Sequence, residues 1–276
     1  MRKKICFFIL AIAVFLLVWE IADFQSAVRP NTVPSVDLTE LADKQTLTEE
    51  DYRIIFLQTG LGKPAVCDLR KSDNFLQVLQ KFQQQRQEKH EYRRGFVFFP
   101  TTTAELLVDS KGHERTLILP PLRDGDILIT KSTKTMIYRH GHAAICIDGE
   151  GERVAEAMTF GSPSAITQID SWTSYATLMI LRPQAEDETI EKALDFTRKN
   201  LIRIPYGLGV GLLEKDKSQK PIVDATHCSH LVWQAYKASG LDIDSDGGWL
   251  VSPRDISRSS NLELVFSFGF GEEARW

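Results

Sequence analysis

The chain opens on Arg2, Lys3 and Lys4, followed by an unbroken apolar run from Ile5 to Trp19. A basic stretch ahead of such a run predicts an export signal. The run is short against the roughly 17–25 residues of a membrane span, yet Ile21, Ala22 and Phe24 extend it past Glu20. A cleaved signal and a retained anchor both fit. No clean small-x-small cleavage site follows, Gln25-Ser26-Ala27 being the step before Val28. Because basic residues stay on the cytoplasmic side, the reading leans to residues 1–27 as an uncleaved anchor, with the rest of the chain outside.

Residues 28 to about 50 show little periodicity and read as a linker. From Thr48 an acidic helix start leads into Tyr52, Ile54, Ile55 and Leu57 and ends near Gly60, Gly62 and Pro64. A second helix is expected from about Ser72 to His90, with Phe75, Leu76, Val78, Leu79 and Phe82 on one side and a solvated Gln-, Lys- and Arg-rich face on the other. Residues 28–119 are thus taken as a linker with a small helical accessory region.

Past Leu119-Pro120-Pro121 the texture changes to short strands with tight turns. Strands are expected at 126–130, 143–147 and 154–158, the last two joined through the turn Asp148-Gly149-Glu150-Gly151. Another apolar run, Leu178 to Leu181, precedes an amphipathic helix from Glu186 to Asn200. A Gly-rich loop from Ile204 to Gly211 follows. The last helix, Ser229 to Ser239, carries Leu231, Val232, Ala235 and Tyr236 as its stripe and Gly240 as its stop signal.

Composition adds two bounds. A net charge of -4 over 276 residues, with no Lys/Arg block beyond the N-terminus, gives no support to nucleic-acid binding. Cys6 lies in the apolar segment, leaving Cys67, Cys146 and Cys228 as an odd count, so at least one thiol is expected free.

The candidate chemistry gathers at Cys228, at the start of a helix among polar neighbours. Orphan N–H groups and the helix dipole favour a thiolate there, and the thiolate is the nucleophile. A thiolate hydrolase needs a base within reach and a third group to fix the base's tautomer. His142 opens one strand and Glu156 lies on the strand that returns. A five-residue connection between Ile147 and Arg153 pairs Ala144 with Glu156. His142 and Glu156 then become diagonal neighbours on one face, about 7–8 Å apart at the backbone. A one-residue slip would separate them. Cys67 and Cys146 read as buried thiols.

Several segments resemble the NlpC-type cell-wall cysteine peptidases. Ile204-Pro205-Tyr206-Gly207, His227-Cys228-Ser229-His230 and Ala235-Tyr236-Lys237-Ala238-Ser239-Gly240 are similar to the opening half of that family. Gly125-Asp126-Ile127, His142-Ala143-Ala144-Ile145, Asp148-Gly149 and Glu156-Ala157 are similar to its closing half, in the same internal order. The halves are swapped, which resembles the circularly permuted, YiiX-like branch with its papain-like site. The resemblance covers about residues 120–268. It implies Cys228 as nucleophile, His142 as base, Glu156 as orienting residue and Tyr206 near the site. His140, His227 and Ser229 flank these as candidate substrate-binding residues. His227 and His230 stand where the family commonly has Asp and Gly.

The expected fold is therefore α+β. A permuted papain-like hydrolase domain over 120–276 packs an antiparallel sheet against a nucleophile helix, preceded by the helical region and the membrane segment. The expected activity is amide hydrolysis on cell-wall peptides without cofactor or metal. A lipid acyl hydrolase or acyltransferase of the same fold, and a non-catalytic binding domain, are the alternatives. Zinc held by His140, His142, His227, His230 and Cys228 is a rival, but these residues have no standard metal-binding spacing.

Overall fold

A computed structural model describes residues 8–18, 28–29, 33–94, 102–135, 138–207, 209–210, 224–272, 274 and 276. The helices are α1 (residues 8–18), α2 (Thr39–Asp43), α3 (Glu49–Thr59), α4 (Lys63–Leu69), α5 (Phe75–Gln87), α6 (Asp170–Thr173), α7 (Asp187–Asn200), α8 (Cys228–Ala238) and α9 (Pro253–Ser257). The strands are β1 (Glu91–Arg94), β2 (Thr102–Val108), β3 (Ile127–Thr130), β4 (Thr133–Thr135), β5 (His142–Asp148), β6 (Arg153–Glu156), β7 (Ala165–Gln168), β8 (Leu178–Pro183) and β9 (Leu262–Phe268). The fold is α+β. Six antiparallel strands run in the order β7-β6-β5-β3-β8-β9, and β1-β2-β4 form a smaller sheet.

The large sheet is buried on both faces, so its central strands read as apolar runs rather than as alternation. One face carries Leu128, Ala144, Cys146, Val154 and Ile180 and packs against Leu38, Ile55, Val66, Leu79 and Phe82. The other carries Ile127, Ile129, Ala143, Ile145 and Met179 and packs against Leu194 of α7 and Leu231, Val232, Ala235 and Tyr236 of α8. Residues from both sides of position 120 thus share one core. The buried Asp126 fastens it further: Arg182 donates to both of its carboxylate oxygens at 2.8 Å and to Asp68 of α4 at 3.0 Å.

Several expectations need correction. The segment read as a linker is docked, since Leu38, Leu41 and Leu47 are buried and Thr39–Asp43 is helical. Pro64 does not only end α3. It stands in the first turn of α4, where its missing N–H costs nothing. The face of α5 expected in solvent contains the buried Arg86, which donates to the carbonyls of Leu57 and Ser267. Cys67 is exposed on α4, with Ala65 and Val66 turned inward instead.

The expected membrane segment finds no support. Residues 8–18 are helical with Phe8, Phe15 and Leu17 outward, while 1–7 and 19–27 lie outside the described residues. Among the described residues no helix is long and apolar enough to cross a membrane.

Candidate active site

The β5–β6 hairpin sets the geometry. Ala144 pairs with Glu156 and Cys146 with Val154, as the five-residue connection predicts, but the connection is built differently. Asp148 rather than Ile147 pairs with Arg153, a one-residue bulge followed by the turn at 149–152. The bulge adds the residue that the shorter turn lacks, so the register beyond it is unchanged. His142 and Glu156 consequently share a face, and His142 Nε2 lies 2.8 Å from Glu156 Oε2.

Gly141 leads the chain into His142 with φ +71°. A Cβ there would lie 1.9 Å from the Trp276 ring and 2.7 Å from the Thr130 carbonyl oxygen, so both conformation and space require glycine. The His142 ring stacks on Trp172 with centroids 5.0 Å apart. Trp172 Nε1 also donates to Glu156 Oε2 at 3.1 Å, and Thr167 Oγ1 donates to Glu156 Oε1. Thr167 and Trp172 are neighbours of His142 and Glu156 that no motif pointed to. Thr167 could have been found only by assigning β7, and Trp172 depends on the short α6, which has no sequence signature.

α8 begins at Cys228 and packs its apolar side on the sheet face of Ala143 and Ile145. Its N-cap is His227, whose Nδ1 accepts the His230 N–H. This placement brings the Cys228 sulfur within interaction range of His142 and His227. Since Nε2 of His142 is held by Glu156, Nδ1 is the nitrogen left to face sulfur.

Electrostatics follow from these contacts. Burial opposes ionisation of Cys228, but hydrogen bonds from His142 and His227 and attraction to the His142 charge outweigh it and hold the thiol well below its ordinary value. Burial likewise opposes the imidazolium of His142, yet hydrogen bonds to Cys228 and Glu156 raise it to about 10. Glu156 stays below the usual carboxylate range despite its burial, because His142, Thr167 and Trp172 all donate to it. Sulfur, imidazole and carboxylate form a buried row in which all three shifts favour the charged forms. By contrast, burial pushes the Cys146 thiol up to about 12, an inert state.

The other candidates fall into place around this row. Tyr206 bridges to Thr226 just before the N-cap, and burial together with the Cys228 charge raises its hydroxyl pKa. His140 lies near Cys228, but its Nδ1 meets the Gly141 carbonyl at 2.7 Å and its Nε2 the Thr135 hydroxyl at 3.1 Å. Ser229 is turned inward, its hydroxyl donating to the Val251 carbonyl at 2.8 Å, which ties the 241–252 loop to α8. His230 is held between Thr226 and Gln234. The ring nitrogens and sulfur required by the zinc alternative do not converge. Among the described residues the group whose ligand atoms do is Asp244, Asp246 and Asp255. The loop expected at 204–211 lies partly outside the described residues.

The chain matches no protein-family model and no curated protein.

Proposed function

We propose that this chain is a thiol hydrolase of the permuted papain-like type, acting outside the cytoplasm on amide bonds of cell-wall peptides. One observation carries the reading: a helix-heading cysteine faces a histidine whose far nitrogen is bonded to a buried carboxylate. Attack of the Cys228 thiolate on the carbonyl carbon forms the C–S bond and moves the π pair onto oxygen, which accepts from the Cys228 backbone N–H. Collapse of the intermediate breaks the C–N bond while His142 gives its proton to the leaving amine. Water then attacks the thioester, losing a proton to His142, and the thiolate departs. Glu156 holds the ring and balances its charge throughout.

The amide assignment rests on the resemblance of the segments around Tyr206, Cys228 and His142 to cell-wall peptidases. A second reading, acyl hydrolysis or transfer on lipids by the same residues, is favoured by the outward apolar side chains of α1. Mass spectrometry of products after incubation with muropeptides and, separately, with phospholipids tests both. New amine and acid termini in the muropeptides support the first reading, and released fatty acid supports the second. No product from either substrate leaves a binding domain as the better account.

A further inference from the structure

His140, His142 and His230 each have both ring nitrogens assigned to partners. His227 does not. Its Nδ1 accepts the His230 backbone N–H at 3.4 Å as the N-cap of α8, with the Ser229 hydroxyl 3.3 Å away. A ring nitrogen that accepts an N–H cannot itself carry a proton, so the neutral ring holds its proton on Nε2. That Nε2 is buried without a hydrogen-bond partner among the described residues, and the residue is only 7% exposed. A buried donor left without an acceptor destabilises the fold that holds it. The ring belongs to the residue immediately before Cys228 and interacts with its sulfur.

We infer that His227 is a catalytic residue whose Nε2–H donates to the substrate carbonyl oxygen as that oxygen becomes negative. The inference rests on the thiol-hydrolase reading and adds a second donor beside the Cys228 backbone N–H. In the resting enzyme this donor has no hydrogen-bond partner. Once sulfur bonds to carbon its negative charge moves to the carbonyl oxygen, and the N–H gains an acceptor there with no proton transferred. The two histidines divide the work by what holds their other nitrogen. His142, with Nε2 fixed on Glu156, exchanges a proton through Nδ1. His227, with Nδ1 fixed as the helix cap, keeps its proton on Nε2.

Two variants separate the roles of the ring. His227→Asn places an amide oxygen where Nδ1 stands and keeps the cap, but lacks a donor at the Nε2 position. His227→Gln places an amide nitrogen near Nε2 and loses the cap. Each is compared with the parent at the plateau of its pH profile, where the thiolate is fully formed. Two reactions of Cys228 are followed: acylation by p-nitrophenyl acetate, which creates an oxyanion, and alkylation by iodoacetamide, which does not. For His227→Asn, acylation should fall about 100-fold, while alkylation changes by less than about threefold. His227→Gln should acylate faster than His227→Asn although it melts lower. A parallel fall of both reactions in His227→Asn, or no fall in acylation, overturns the inference alone. If the parent releases no p-nitrophenol beyond a Cys228→Ser control, the thiol-hydrolase reading falls, and this inference with it.

Discussion

Nε2 of His142 and Oε2 of Glu156 meet at 2.8 Å, in a pocket where both side chains are almost fully buried. Replacing Glu156 with glutamine removes the charge that balances the imidazolium and allows the opposite ring tautomer. Turnover by Glu156→Gln should fall about 10- to 1,000-fold, less than the loss in Cys228→Ser. Because glutamine keeps the shape and can still accept from Trp172 Nε1, far-UV circular dichroism should be unchanged. Parent-like turnover would transfer the orienting role elsewhere.

The pH profile should be broad and bell-shaped. Activity requires the thiolate and the imidazolium together, and the pair titrates as a unit. The acidic limb lies where the depressed Cys228 thiol ionises, well below an ordinary cysteine, and the alkaline limb near the raised His142 value of about 10. A rising limb centred at an ordinary thiol value contradicts the ion pair.

Stability has its own pH signature. The folded His142 value lies above its ordinary 6.5, so its contribution is fully present below that pH and is lost as pH rises through about 10. The folded Glu156 value is depressed below its ordinary 4.5, so its contribution is present above 4.5 and is lost as pH falls through the folded value. Thermal melts of His142→Ala should lose the alkaline decline, and an unchanged decline refutes the assignment.

Arg182→Met leaves the Asp126 carboxylate, 0% exposed, without its bidentate partner. Breaking a buried pair from one side costs about 3–5 kcal/mol, measurable by urea unfolding. A loss below about 1 kcal/mol would be the behaviour of a solvent-screened pair instead.

Chelator treatment should leave activity intact, because the ring nitrogens and sulfur around Cys228 do not converge as metal ligands do. Activity lost to chelator and restored by zinc contradicts the thiolate mechanism.

What was legible in the sequence was local. The register joining His142 and Glu156 could be counted along the chain because a hairpin needs only turn length and alternation, and the bulge at Ile147 offset its shorter turn. The start of α8 and its apolar stripe were legible for the same reason. Contacts made at long range were not. Leu38 and Leu41 look like linker residues until the core that receives them is known, and β9, which receives α4, lies at the far end of the chain. Trp172 stacks on His142 only because α6 falls between two strands of the sheet. The apolar run at the N-terminus marks composition, and composition did not yield a spanning helix among the described residues.

Trapping the acyl-enzyme tests the central claim most directly. The full chain is treated briefly with p-nitrophenyl acetate, quenched in acid and mapped by peptide mass spectrometry. The account predicts an acetyl group on Cys228, with none on Cys67 or Cys146, that disappears on longer incubation and is absent in His142→Ala. Acetylation spread over Cys67, Cys146 and Cys228 in proportion to their exposure, or unchanged by the loss of His142, contradicts it.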